Sequence, residues 1–254
     1  MTVQQKLRAK SGALLTSIEG SLPRIMTLWF MLAIPACAVR IAVSPIKAAV
    51  ELDTLLPYLL LVTAPLLSMS LALYWFRDGH LLPQPTTRLA RVGHWRNVGR
   101  REAEAHPFYG SSGIMVSLLV GILLNVPVRA AEYLAAMPAL SGPLPAWLST
   151  LHTLMTADVV LLSSLYVIAF VAALRRVPLF PRLLVAIWLM DLAMQLVTAQ
   201  IVAGTPGLPA NVATALHGLL EGNATKVLIS AALWLPYLLL STRVNVTYRH
   251  RIPA

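Results

Sequence analysis

Six apolar runs, separated by short polar gaps, limit what this chain can fold into more than any other feature of it. A membrane-crossing helix needs about 20 mostly apolar residues rising about 1.5 Å each. Runs at 24–46, 54–76, 108–130, 153–174, 179–203 and 223–241 meet that length or nearly so, and the fifth does so despite Asp191, Gln195 and Gln200. The expected fold class is therefore all-α, a polytopic membrane bundle of six transmembrane helices. Its expected parts are an N-terminal two-helix hairpin with a polar lead (1–76), a basic loop (77–107) and a four-helix membrane unit (108–254).

The positions of the basic residues orient that bundle. The loop 77–107 carries six arginines (Arg77, Arg88, Arg91, Arg96, Arg100, Arg101) against three acids (Asp78, Glu102, Glu104). Such islands resist translocation and mark the cytoplasmic side. With six spans, the segments falling on that side hold 16 of the 20 lysines and arginines, whereas the opposite tips at 47–53, 131–152 and 204–222 hold only Lys47. The expected topology is three in–out–in hairpins with both termini cytoplasmic.

Composition enters where other classes must be excluded. Only 12% of the residues are charged, about half the share in soluble domains. The net charge of +10 would suggest nucleic acid on a soluble surface, but here topology accounts for it and no nucleic-acid partner is expected. The single cysteine, Cys37, rules out an internal disulfide or a multi-cysteine metal site. The basic start followed by Ala36-Cys37-Ala38 has the outline of a signal peptide, but the apolar run continues to Ile46, so the first helix reads as retained.

Two further patterns concern organisation. Between Asn211 and Glu221 the pattern Val-Ala-x-Ala-Leu-x-x-Leu-Leu suits either a short helix lying at the interface or an ordinary loop cap, and Trp147 suits the same depth. At an offset of 89 residues, Ile25/Ile114, Met26/Met115, Val39/Val128, Arg40/Arg129 and Ala42/Ala131 coincide. That pattern fits either a parallel internal repeat or chance similarity between apolar helices.

Several motifs from residue 107 onward belong together: Tyr109-Gly110-x-x-Gly113 entering a helix, Val126-Pro127-Val128-Arg129, and Phe180-Pro181-Arg182. The most specific is Trp234-x-Pro236-Tyr237-Leu238-x-x-Ser241-x-Arg243-Val244-x-x-Thr247. Over about 107–248 the chain resembles an uncharacterised bacterial inner-membrane family, domain of unknown function 2569. It departs from that pattern at Gly113-Ile114, where Gly-Trp is usual, and at Asn245, where a lysine is common. The two N-terminal helices lie outside the resemblance. It implies an inner-membrane location and a compact bundle, and no activity. Physically, Pro236 kinks a helix that its neighbours must resatisfy, Trp234 and Tyr237 place aromatic surface near the interface, and Arg243 anchors the helix end.

Ionisable side chains inside spans are costly and are the candidates for function. The 1.5 Å rise puts Arg40, Arg129 and Lys226 at about 22 Å from the cytoplasmic edge and Asp191 at about 15 Å, with Glu132 and Asp158 slightly above the cations. These six are the expected ligand-binding set. Two readings stand: ion pairs holding the bundle together, with Lys226 reaching towards Asp191 and Glu132 pairing with Arg129, or a cationic pocket open to the outer leaflet for an anionic head group or small anion. A proton relay through Asp191 and Gln195 is a third. His152, Asp158, His217 and Glu221 lack a compact ligand motif, and His80, His94 and His106 lack ligand spacing, so no metal and no cofactor is expected. Ser163-Ser164 suit close helix packing better than nucleophilic catalysis. No phosphate loop or catalytic motif occurs, so an enzyme is not expected. The functional expectation is an inner-membrane protein that binds or passes an anionic lipid or small solute. The alternative is a scaffold or accessory subunit that packs against another membrane protein or itself.

Overall fold

The computed structural model describes residues 3–44, 52–86 and 92–254, with the side chains of the first helix described from residue 10 onward. The tip containing Lys47, the arginines Arg88 and Arg91, and the side chains of Lys6 and Arg8 lie outside the described residues. The helices are α1 (Val3–Val43), α2 (Leu52–Trp75), α3 (Arg100–Ala105), α4 (Ile114–Ala136), α5 (Ala146–Leu174), α6 (Phe180–Ala203), α7 (Ala210–Leu240) and α8 (Thr242–Arg249). All except α3 and α8 are long and apolar enough to cross a membrane, six in total. The chain is an all-α multi-pass membrane bundle. Long helices are what such sequences must form, because in hydrocarbon each backbone N–H and C=O has to be satisfied within its own segment.

The helices run further than the apolar runs alone indicate. The expected polar lead is helical from Val3, continuous with the first span, since Gln, Lys, Leu, Arg and Ala all favour helix and Gly12 and Gly20 interrupt them only singly. Likewise 211–221 is not a separate interfacial helix. It is the first third of α7, whose 31 residues reach about 46 Å. Gly222 costs about 1 kcal/mol in a helix interior, too little to end one. Prolines end what glycines do not: Pro145 and Pro209 precede α5 and α7, both in extended backbone that starts the next helix.

α5 is the central helix, packed by α2, α4 and α6, while α7 packs on α6 and α1 on α4 and α2. Every residue from Ala169 to Leu174 is buried, and the alanines at 169, 172 and 173 let neighbouring helices approach closely. The core has two parts. One gathers Met69, Leu119, Leu162, Phe170, Phe180 and Leu184 towards the end that carries both termini. The other gathers Cys37, Tyr58, Leu61, Tyr133, Met155 and Val202 towards the hairpin tips.

The terminal end is closed by a compact cap. Strands β1 (Trp95–Asn97) and β2 (Arg251–Pro253) pair antiparallel, tying the central loop to the C-terminal tail. The loop after α2 is pressed onto the α5–α6 turn at Gly79. A Cβ there would stand 2.6 Å from Val177 Cγ2 and 3.0 Å from the Arg175 carbonyl oxygen, so only glycine fits.

Candidate functional site

A polar layer separates the two apolar cores, and Arg129 is its centre. From α4 the guanidinium donates through Nη1 to Asp158 Oδ2 at 2.7 Å and through Nη2 to Asp191 Oδ2 at 2.6 Å. These carboxylates come from α5 and α6. Tyr166 donates its hydroxyl to Asp191 Oδ2 at 3.0 Å, and Gln195 Nε2 donates to Asp158 and Asp191 at 3.2 and 3.3 Å. Asp191 is fully buried, and Arg129 and Asp158 nearly so. Two carboxylates thus face one guanidinium, and neutral donors from Tyr166 and Gln195 share the surplus negative charge. Such pairs hold only while all partners remain.

The six candidates fall into three separate arrangements. Arg129, Asp158 and Asp191 converge as described. Lys226 bonds Glu132 across α7 and α4, with its side chain 60% exposed and a second contact to Asn223 Oδ1 at 3.3 Å. This corrects two expected contacts, because Lys226 does not reach Asp191 and Glu132 does not pair with Arg129. The reason is geometric: Arg129 turns inward to α5 and α6, leaving Glu132 on the α7 side. Arg40 stands apart. Its Nε donates to the Met137 carbonyl at 2.8 Å, and Ser44 donates to that of Ala139 at 2.8 Å. Arg40 therefore pins the α4–α5 connection to α1, even though it coincides with Arg129 at the offset of 89 residues.

The expected layer of three converging cations is accordingly absent. Around the polar layer Arg129 and Lys226 face Asp158, Asp191 and Glu132, so the cluster carries no surplus positive charge. Among the described residues no group of three or more His, Cys, Asp or Glu is placed to hold a metal. His217 and Glu221 are 4.0 Å apart and both well exposed.

Beside the layer runs a seam whose walls are α4 and α7. It contains small clefts of about 60 Å³ (Asn125, Arg129, Tyr166, Lys226, Ser230) and about 100 Å³ (Gly121, Asn125, Tyr166, Trp188, Trp234). Among the described residues Arg129 Nε and Asn125 Oδ1 are buried without hydrogen-bond partners, so the seam offers an unused donor and an unused acceptor. At the terminal end lies a much larger groove of about 730 Å³, lined by Lys10, Ser11, Leu14, Ile114, Tyr237 and Arg243 among others. Its lining combines two cations with an apolar wall.

The signature residues meet at that same end. Arg243 Nη1 donates to the Gly110 carbonyl at 3.1 Å and to Ser112 Oγ at 2.8 Å, and its guanidinium sits 5.8 Å above the Phe108 ring. Gly110 N donates to Thr247 Oγ1 at 2.9 Å. Gly110 adopts φ 101°, which glycine tolerates far better than other residues. Trp234 and Tyr237 meet edge to face at 5.9 Å, and Pro236 lies inside α7. Burial pushes the phenol of Tyr248 upward. Its hydroxyl donates to the Ala173 carbonyl at 2.8 Å and lies 3.0 Å from Ser111 Oγ.

Sequence reasoning missed Tyr166, Asn125, Ser111, Tyr248 and Arg249. A tyrosine or asparagine within an apolar span is a usable signal, since its polar atom needs a partner. Nothing local marks the cap residues.

A family model described as Protein of unknown function (DUF2569) matches residues 111–249. No curated protein and no solved structure gave a match.

Proposed function

Since this chain belongs to the DUF2569 family, whose model covers more than half of it, and that family assigns no activity, we propose from the geometry that it is a lipid-binding protein of the bacterial inner membrane. The ligand is an anionic phospholipid, held at the terminal end of the α4–α7 seam. In this reading both termini are cytoplasmic, because 16 of the 20 lysines and arginines fall on that side.

One observation carries the reading: the groove of about 730 Å³ pairs Lys10 and Arg243 with an apolar wall that includes Leu14, Ile114 and Val116. Basic residues near an anionic leaflet contribute about 1 kcal/mol each, and an acyl chain can lie against the wall. The polar layer does not serve an anion as well, because its cations are already matched by carboxylates. The protein binds its lipid and does not act on it chemically.

Native mass spectrometry of the detergent-purified full chain tests this. Phosphatidylglycerol is expected to stay bound to the native protein and to be lost from Lys10→Glu and from Ser117→Leu, which fills the groove. Equal retention by all three, or a stoichiometric protein in place of lipid, overturns the reading; the latter would favour a scaffold.

A further inference from the structure

On the opposite side of the terminal cap, three elements bring cationic and amide donors together with no carboxylate. The pocket is lined by Gln84 and Pro85 from the loop after α2, by Pro178, Pro181 and Arg182 from the α5–α6 turn and the first turn of α6, and by Tyr248 and Arg249 from α8. Arg249 is only 5% exposed. Its Nη1 is occupied by the Leu238 carbonyl at 2.7 Å and by Asn245 Oδ1 at 3.1 Å. Its Nη2 is buried and has no hydrogen-bond partner among the described residues, and neither has Gln84 Nε2.

The ion pairs of this end lie elsewhere: Arg96 with Glu102 and Arg100 with Glu104. No acid pairs with Arg182 or Arg249 among the described residues. Burial above all, and then the neighbouring cations Arg251 and Arg182, push the Arg249 guanidinium down to about 10. A guanidinium brought out of water beside two others, with an unused N–H, is costly unless an anion joins it.

We propose that Gln84, Arg182 and Arg249 form a binding site for a phosphate-type oxyanion. The pocket has room for one water-sized group, about 10 Å³, so it takes in one oxygen of the ligand, on Arg249 Nη2, while Gln84 Nε2 donates to a second and Arg182 faces the remaining charge. Arginine is suited to this because its planar fork matches tetrahedral oxyanions. The pocket shares no residue with the groove assigned to lipid, so the two proposals stand or fall separately.

The same chemistry can come from free phosphate or from a phospholipid head group, and one experiment separates them. Thermal unfolding of the detergent-purified full chain is followed with added inorganic phosphate, with phosphatidylglycerol-containing mixed micelles, and with sodium chloride at matched ionic strength. The expected result is a rise in Tm with phosphate that chloride does not produce. The phosphate concentration giving half the rise should increase at least tenfold in Arg182→Gln and in Gln84→Leu. Both spare Arg249, whose Nη1 contacts hold the α7–α8 junction and whose loss could unfold the cap. A rise with phosphatidylglycerol alone, abolished by the same two variants and retained in Lys10→Glu, assigns the site to a head group. No rise with either ligand, or an undiminished rise in Arg182→Gln, overturns the site.

Discussion

Arg129 holds two carboxylates from two other helices, and losing it would strand both charges in the middle of the bundle. Breaking a buried pair costs about 3–5 kcal/mol, whereas an exposed pair is worth under about 1 kcal/mol. Arg129→Ala should therefore destabilise the protein severely, and Lys226→Ala, whose side chain is 60% exposed, only slightly. Unfolding by SDS titration in mixed micelles measures both, and similar losses would contradict the buried network. Gly79→Ala should cost about 1–3 kcal/mol by overpacking, because its Cβ would meet Val177 at 2.6 Å. Arg249 supplies a pH signature. Its guanidinium sits at about 10 in the folded chain, well below the ordinary arginine value it keeps when unfolded. At alkaline pH the unfolded state then binds more protons, so this group's contribution to stability rises as pH climbs through about 10. Relative to Arg249→Gln, the native chain should gain stability between about pH 9 and pH 11, and a constant difference would contradict the unpaired burial.

Among the elements, α7 is the one whose placement matters most. It packs on α6 and stands across a seam from α4, with Asn125 and Ser230 lining the same cleft from opposite walls. In a Cys37→Ser background, Asn125→Cys/Ser230→Cys should cross-link with a short bismaleimide, as read by a mobility shift after cleavage of the α5–α6 turn at an inserted protease site. Failure to cross-link would mean that α4 and α7 do not face each other. The length of α7 also bears on how far local reading can go. Its first third has a sequence pattern that suits a separate interfacial helix or a loop cap, yet a propensity loss near 1 kcal/mol at Gly222 does not end a helix that the bilayer and α6 both support.

For the whole molecule, the cap gathers β1, the C-terminal tail and the α5–α6 turn at one end, with the termini. A reporter fused after Ala254 and a cysteine label placed near Arg96 should therefore report the same side of the membrane, and the proposal places that side in the cytoplasm. Labelling at Arg96 from outside intact cells would reverse it. Six spans, the basic side and the costly charges at Arg129, Asp158 and Asp191 were readable one residue at a time, because hydrophobic length and charge are local properties. Which charge meets which was not. Arg40 and Arg129 occupy matching sequence positions, yet one caps the Met137 carbonyl and the other bridges two aspartates. The unpartnered Nη2 of Arg249 is likewise invisible in a tail that reads as a basic anchor. Pairing depends on how helices rotate about their axes when they pack, and that rotation is fixed by contacts between residues distant in sequence. The chain alone determined that this protein spans a membrane and where its charges fall, and only the packed bundle decided which of them neutralise one another and which do not.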